Sequence, residues 1–168
     1  MIAIQELTQE SFRLFGWALG RGLQTSSLAF SNAATDFWDE HLFDPGRAGE
    51  TEILWVNYRD RTKVITRLES HRLTQQIVVP LTGDIVQIVA QSRQDASVDL
   101  ASMSAFRVKV GEGVCMRAGC WHATRVEKEE VRCLMITRRS TTVDLVGHLQ
   151  GASPLNESAL ADVNGQLA

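Results

Sequence analysis

Four side chains able to move protons or hold a metal fall in two short segments. In ESHRLTQQIVVPLTG, Glu69 and His71 stand one residue apart and Gln76 follows. In GEGVCMRAGCWH, His122 closes a glycine-spaced run that begins at Gly111. Residues two apart on a strand point to the same face, so Glu69 and His71 project into one interior. Gln76 arrives from the next strand after the chain turns, and His122 from a later hairpin. Two imidazoles, a carboxylate and an amide then surround one small molecule or a divalent ion. A lone histidine reads as an ordinary semi-buried residue, but the four together read as a site.

These residues need strands to carry them. TKVITRLESH alternates, with Val64, Thr66, Leu68 and Ser70 on one face and Ile65, Arg67, Glu69 and His71 on the other. TEILWVNYR is rich in β-formers. QQIVVPL and DIVQIVA flank Thr82-Gly83-Asp84 and read as a hairpin buried on both faces. Asp99 to Met103 reads as a helical turn, and VRCLMITRR as a final long strand. Many short strands between about 51 and 146 predict a sandwich or closed barrel. Upstream, Thr8 caps a short helix over about 9–15, which Gly16 stops. Residues from about 20 to 50 read as a long connection with a turn at Asp44-Pro45-Gly46. One domain spans 1–147, and 148–168 forms a peripheral arm with a short helix after Asn156.

The chain has 168 residues, 44% hydrophobic and 22% charged, which suits a folded domain with a full core. A net charge of −3 opposes nucleic-acid binding, which needs a basic face. The N-terminus lacks a signal-peptide pattern, and no apolar run reaches the length of a membrane helix. Three cysteines, Cys115, Cys120 and Cys133, form no CxxC pair and read as buried thiols in a reducing cytoplasm. Trp121 reads as barrel filling, His41 as a loop residue and His148 as a tail residue.

The two segments resemble the paired motifs of cupins, small β-barrels. Glu69 stands at the first histidine position, His71 at the second, Gln76 at the acidic position and His122 at the last. Gly83, Gly111 and Gly119 match the turn glycines, and Arg117 replaces the motif's proline. A closer resemblance is to the ureidoglycolate lyase family of that fold. It rests on LTQESFRLFG from Leu7, on Asn57-Tyr58-Arg59, and on Glu69, His71, Leu73, Gln76, Pro80 and Gly83. It continues through Asp99, Leu100, Ala105 and Phe106, then Gly111, Gly113, Val114, Trp121 and His122, and ends at Arg138. The matches cover about 7–145 in order. The chain departs at Thr124, where the family has proline, and at Thr137, where it has an acidic residue.

The resemblance implies a mainly β, cupin-type antiparallel barrel or sandwich with a short N-terminal helix, and a cytoplasmic homodimer. It implies a carbon–nitrogen lyase that splits ureidoglycolate into glyoxylate and urea during allantoin and purine breakdown. Glu69, His71 and His122 are the expected catalytic residues, and either histidine serves as the base. Asn57, Arg59, Gln76 and Arg138 are the expected substrate contacts, an Arg taking the carboxylate. If a metal is bound, Glu69, His71, Gln76 and His122 hold it, with nickel the ion the family suggests. Two other readings stand beside this one: a cupin enzyme acting on another small hydroxy or keto acid, and a non-catalytic ligand-binding cupin.

Overall fold

The computed structural model describes residues 1–23 and 28–168. Among the described residues, thirteen strands and two α-helices follow one another. They run β1 (Ile4–Glu6), α1 (Gln9–Phe12), β2 (Gly16–Leu19), β3 (Leu28–Ser31), β4 (Asp36–Trp38), β5 (Thr51–Tyr58) and β6 (Val64–His71). Then come β7 (Gln76–Pro80), β8 (Ile85–Ser92), β9 (Val98–Val108), β10 (Gly113–Met116), β11 (Trp121–Val126), β12 (Val131–Arg138), α2 (Arg139–Gly151) and β13 (Ser158–Gln166).

The strands form a six-stranded sheet, β1-β9-β8-β11-β6-β13, and a five-stranded sheet, β2-β10-β7-β12-β5. A small β3-β4 pair stands apart from them. Every pairing in the two large sheets is antiparallel except β1 with β9. Strands β5 to β12 contribute four to each sheet, and successive strands change sheet at every step except β8 to β9. That order is the jelly roll, an architecture the cupins share. The expected mainly β barrel or sandwich with a short N-terminal helix is what the chain forms.

Alternation decides which side chains enter the space between the sheets. On β12, Val131, Cys133, Met135 and Thr137 are buried and their neighbours less so. On β5, Leu54, Val56 and Tyr58 turn inward, while Ile53 and Trp55 remain 69% exposed. Phe12, Phe15 and Phe106 pack edge-on or tilted in the central core. A second core, with Leu68, Ile88 and Trp121, lies on the other face of the six-stranded sheet, where Leu167 packs against it. Trp121 thus fills space away from the inner face.

Several local expectations change. The helix at the N-terminus is one turn, Gln9–Phe12, closed by a capping box between Thr8 and Ser11. Thr82-Gly83-Asp84 is not a hairpin turn but a corner between sheets, since β7 pairs with β10 and β12 while β8 pairs with β9 and β11. Asp99 to Met103 lies within strand β9. Of the expected 20–50 connection, 24–27 lie outside the described residues. The segment read as a peripheral arm instead supplies the end of α2 and all of β13, which pairs with β6 from Ser158↔His71 to Gln166↔Val64. No helix among the described residues is long and apolar enough to cross a membrane.

Candidate active site

Register brings the two segments together. His122 on β11 lies opposite Glu69 on β6. One ligand atom each from Glu69, His71 and His122 falls within 4.8 Å of the others. The two imidazoles are buried, and their rings meet edge to face at 5.1 Å.

Each imidazole is held through its Nδ1. The His122 Nδ1 lies 3.0 Å from the carbonyl oxygen of Cys120. A carbonyl only accepts, so the hydrogen sits on Nδ1 and the neutral ring carries a bare lone pair on Nε2. The His71 Nδ1 lies 3.0 Å from Ser158 Oγ on β13. Both Nε2 atoms therefore turn toward Glu69. Its Oε1 is 3.3 Å from His122 Nε2 and 3.9 Å from His71 Nε2. The 3.3 Å contact is out of line for a hydrogen bond, and His122 Nε2 is buried without a partner. A lone pair thus faces a carboxylate oxygen, an arrangement that favours a proton or a cation between them.

Burial pushes the His71 imidazole down to about 4, helped by the charge His122 can carry, so His71 is neutral at pH 7. For Glu69, burial works upward, but contact with His122 and the charges of both imidazoles outweigh it and hold the carboxyl below its ordinary value. Burial pushes Cys115 and Cys120 up to about 12 and Cys133 to about 11. All three are free, buried thiols and stay protonated.

A cavity of about 340 Å³ opens beside Glu69, His71 and Gln76. Its other walls include Leu54, Val56 and Tyr58 of β5, Met135 and Thr137 of β12, and α2. Tyr58 was hidden in the sequence by its neighbours in Asn57-Tyr58-Arg59, although strand parity with Leu54 and Val56 points it inward. Burial raises its phenol, and the Glu69 charge adds to that, so it remains a proton donor. Thr124, which stands where the family has proline, turns inward and donates to Gln87 Oε1 at 3.1 Å.

The expected contacts Asn57, Arg59 and Arg138 lie elsewhere, and among the described residues no Lys or Arg lines the cavity. Asn57 points to the outer face, where it accepts from Arg132 Nε at 3.3 Å. Arg59 is exposed and pairs with Glu130 at 2.5 Å. Arg67 pairs with Asp162 of β13 at 3.2 Å. Arg138 donates from Nη1 to the carbonyls of Pro45 and Arg47, each at 3.1 Å, and from Nε to Ser140 Oγ at 2.8 Å. That clamp secures the loop in which Gly46 has φ +77° and leaves no room for a Cβ against the Leu73 carbonyl. Arg138→Ala is expected to cost about 2 kcal/mol of stability. A thermal melt of the ligand-free protein reads it, and an unchanged melt contradicts the clamp. His41 stacks on Trp17 at 4.1 Å, and His148 lies in α2 with Nδ1 2.8 Å from the Ser153 carbonyl oxygen.

Solved structures that match include sugar-nucleotide enzymes, a vicilin and an oxalate decarboxylase. RmlC from Legionella pneumophila, a dTDP-6-deoxy-D-glucose-3,5-epimerase, is 12% identical over 85% of this chain and 80% of its own, with a TM-score of 0.44. The dTDP-4-dehydrorhamnose 3,5-epimerase from Elizabethkingia anophelis is 11% identical over 71% and 67%, with a TM-score of 0.45. RmlC from Streptococcus suis is 8% identical over 52% of this chain, with a TM-score of 0.42, and the match spans only 43% of that protein. No curated protein sequence matches. A family model described as ureidoglycolate lyase matches residues 1–154, which takes in every site residue and all of α2. The chain belongs to the ureidoglycolate lyase family.

Proposed function

We propose that the protein is a carbon–nitrogen lyase that cleaves ureidoglycolate to glyoxylate and urea. The observation that carries this reading is the bare Nε2 lone pair of His122, buried and facing the Glu69 carboxylate. The substrate is a carbinolamide: one carbon bears a hydroxyl, a carboxylate and a urea nitrogen. His122 Nε2 takes the hydroxyl proton, the carbonyl of glyoxylate forms, and the C–N bond breaks. The Glu69 carboxylate steadies the imidazolium that results. Tyr58, protonated in the cavity beside Glu69, delivers a proton to the leaving nitrogen. After release, the proton on His122 returns to the phenolate. Gln76 hydrogen-bonds the urea or the hydroxyl.

The family suggests nickel, and the donor set fits a divalent cation. Glu69, His71 and His122 would hold it, with Gln76 beside them, and both imidazoles are oriented through Nδ1 as metal-binding histidines are. When bound, such an ion polarises the substrate carboxylate and hydroxyl. It would supply the positive charge that the cavity walls lack. It would also occupy the lone pair of His122, so base and ligand are alternative uses of one atom. In either reading Asn57, Arg59 and Arg138 bind no substrate, since each is engaged elsewhere. We also expect a homodimer in the cytoplasm, and the exposed Ile53 and Trp55 on the outer face of β5 suit a second copy.

The test is release of urea and glyoxylate from fresh ureidoglycolate, corrected for spontaneous decay. Equal, enzyme-dependent release is expected, and none from folded, nickel-supplemented protein rejects the reading. Calorimetric titration with Ni²⁺ decides between base and ligand. Binding to the native chain, lost in Glu69→Gln, identifies the ligand set, while no binding with turnover intact after chelation leaves His122 as the base.

A further inference from the structure

The two histidines are not held alike. The partner of His122 Nδ1 is the Cys120 carbonyl, which only accepts. The partner of His71 Nδ1 is the Ser158 hydroxyl, 3.0 Å away, which can accept or donate. Ser158 is 1% exposed, and among the described residues its Oγ has no other hydrogen-bond partner. A buried hydroxyl that leaves its hydrogen unused forfeits a bond, so it donates to His71 Nδ1. His71 is neutral at pH 7, and its own hydrogen then lies on Nε2. Ser158 is itself fixed. Strand register sets it opposite His71. Its backbone N–H donates to Asp144 Oδ2 at 3.1 Å, and those of Glu157 and Asn156 donate to the same carboxylate at 3.0 and 2.9 Å. Asp144 lies on α2, the helix whose Thr141, Thr142, Leu145 and Leu149 wall the cavity. Ser158 also stands beyond residue 154, where the family match ends.

We propose that Ser158, anchored by Asp144, holds His71 in the tautomer opposite to that of His122, so that the site turns one imidazole N–H and one imidazole lone pair toward Glu69. What this does for turnover rests on the lyase reading above, for which Ser158 and Asp144 are positioning residues acting through the His71 ring. His71 lines the cavity, and its Nε2 lies 3.9 Å from Glu69 Oε1, too far for a hydrogen bond. Its N–H is therefore left to donate to an oxygen of the substrate, while the lone pair of His122 takes the proton. The pair divides the work between a donor and a base, and the partners of the two Nδ1 atoms decide which ring is which. Because a hydroxyl also accepts, the same serine lets His71 present its lone pair to a cation without losing the bond.

The experiment records proton–nitrogen NMR spectra of the histidine rings in the isotope-labelled, metal-free native chain at pH 7, with His71→Gln and His122→Gln to identify the signals. His71 is expected with its hydrogen on Nε2 and His122 with its hydrogen on Nδ1. A His71 hydrogen on Nδ1 overturns the proposal. Ser158→Ala is expected to leave His71 in a mixture of tautomers and His122 unchanged, and Ser158→Thr, which keeps a hydroxyl, to restore the native pattern. An unchanged His71 in folded Ser158→Ala takes Ser158 out of the arrangement. Asp144→Asn, whose amide nitrogen cannot accept, is the second variant if Ser158→Ala does not fold. It is expected to give part of the same mixture, and a native His71 signal there removes the anchor. Turnover tests the consequence: kcat/KM for ureidoglycolate is expected to fall about tenfold in Ser158→Ala, roughly the worth of one hydrogen bond, and to recover in Ser158→Thr. If the native chain releases no glyoxylate, the lyase reading fails while the ring spectra still decide the tautomers.

Discussion

His122→Ala is expected to lower turnover of ureidoglycolate by about 10²–10⁴-fold, the range for loss of a positioned general base. The size follows from how completely the ring is arranged. The Cys120 carbonyl fixes the tautomer, burial excludes water, and the Glu69 carboxylate 3.3 Å from Nε2 is placed to steady the imidazolium. No neighbour can stand in. His71 is buried and drawn toward Glu69, and the Glu69 carboxyl is held below its ordinary value, which makes it a weak base. His122→Gln fills more of the space and serves as the second variant, since truncating a buried side chain costs stability. Circular dichroism and a thermal melt confirm that each variant is folded. A folded variant with native turnover takes His122 out of the reaction.

Acid is expected to destabilise the protein in two stages, with the first set by His71. In the folded chain this imidazole titrates near 4, against an ordinary value of 6.5. Between those values the unfolded chain binds a proton that the folded chain refuses, so stability falls as pH drops. The effect begins below about 6.5 and is complete near 4. At ~1.36 kcal/mol per pH unit it reaches about 3 kcal/mol, a sizeable part of a typical folding free energy. His71 is only 4% exposed, so solvent does little to reduce it. Glu69 follows at lower pH: its carboxyl is held down, so its contribution is present above the unfolded value of 4.5 and is lost as pH falls through the folded one. The melting temperature is expected to fall on the order of 10 °C between pH 7 and 4.5. His71→Gln should flatten that slope, and parallel slopes for variant and native chain exclude His71 as the cause.

Strand parity and motif spacing went furthest where the side chains themselves carry the signal. Glu69 and His71 share a face because they are two apart on β6, and His122 reaches them because β11 pairs with β6. The jelly roll was legible as a class but not as a topology. A Thr-Gly-Asp turn looks the same whether it closes a hairpin or carries the chain between sheets, and only the partners of β7 and β8 distinguish the two. Strand β13 was missed because it is built of small residues, Ala159, Ala161 and Gly165 among them, with too little hydrophobic contrast to show a period. Helix α2 was missed for a similar reason, since threonines, valines and glycines favour it weakly. Motif matching drew attention to Asn57 and Arg59, which face outward, and away from Tyr58 between them. Arg138 shows that an arginine at a family position can be consumed by backbone carbonyls before any ligand arrives.

The bond from His71 to Ser158 has a consequence for how the protein comes into being. Its two ends are 87 residues apart in the chain. During synthesis, β6 emerges from the ribosome long before its edge partner exists, and its hydrogen-bonding edge waits unpaired. Contacts of such long separation form late and slowly. The imidazole gains its orienting hydroxyl only when β13 docks, so competence for chemistry is one of the last properties the nascent chain acquires.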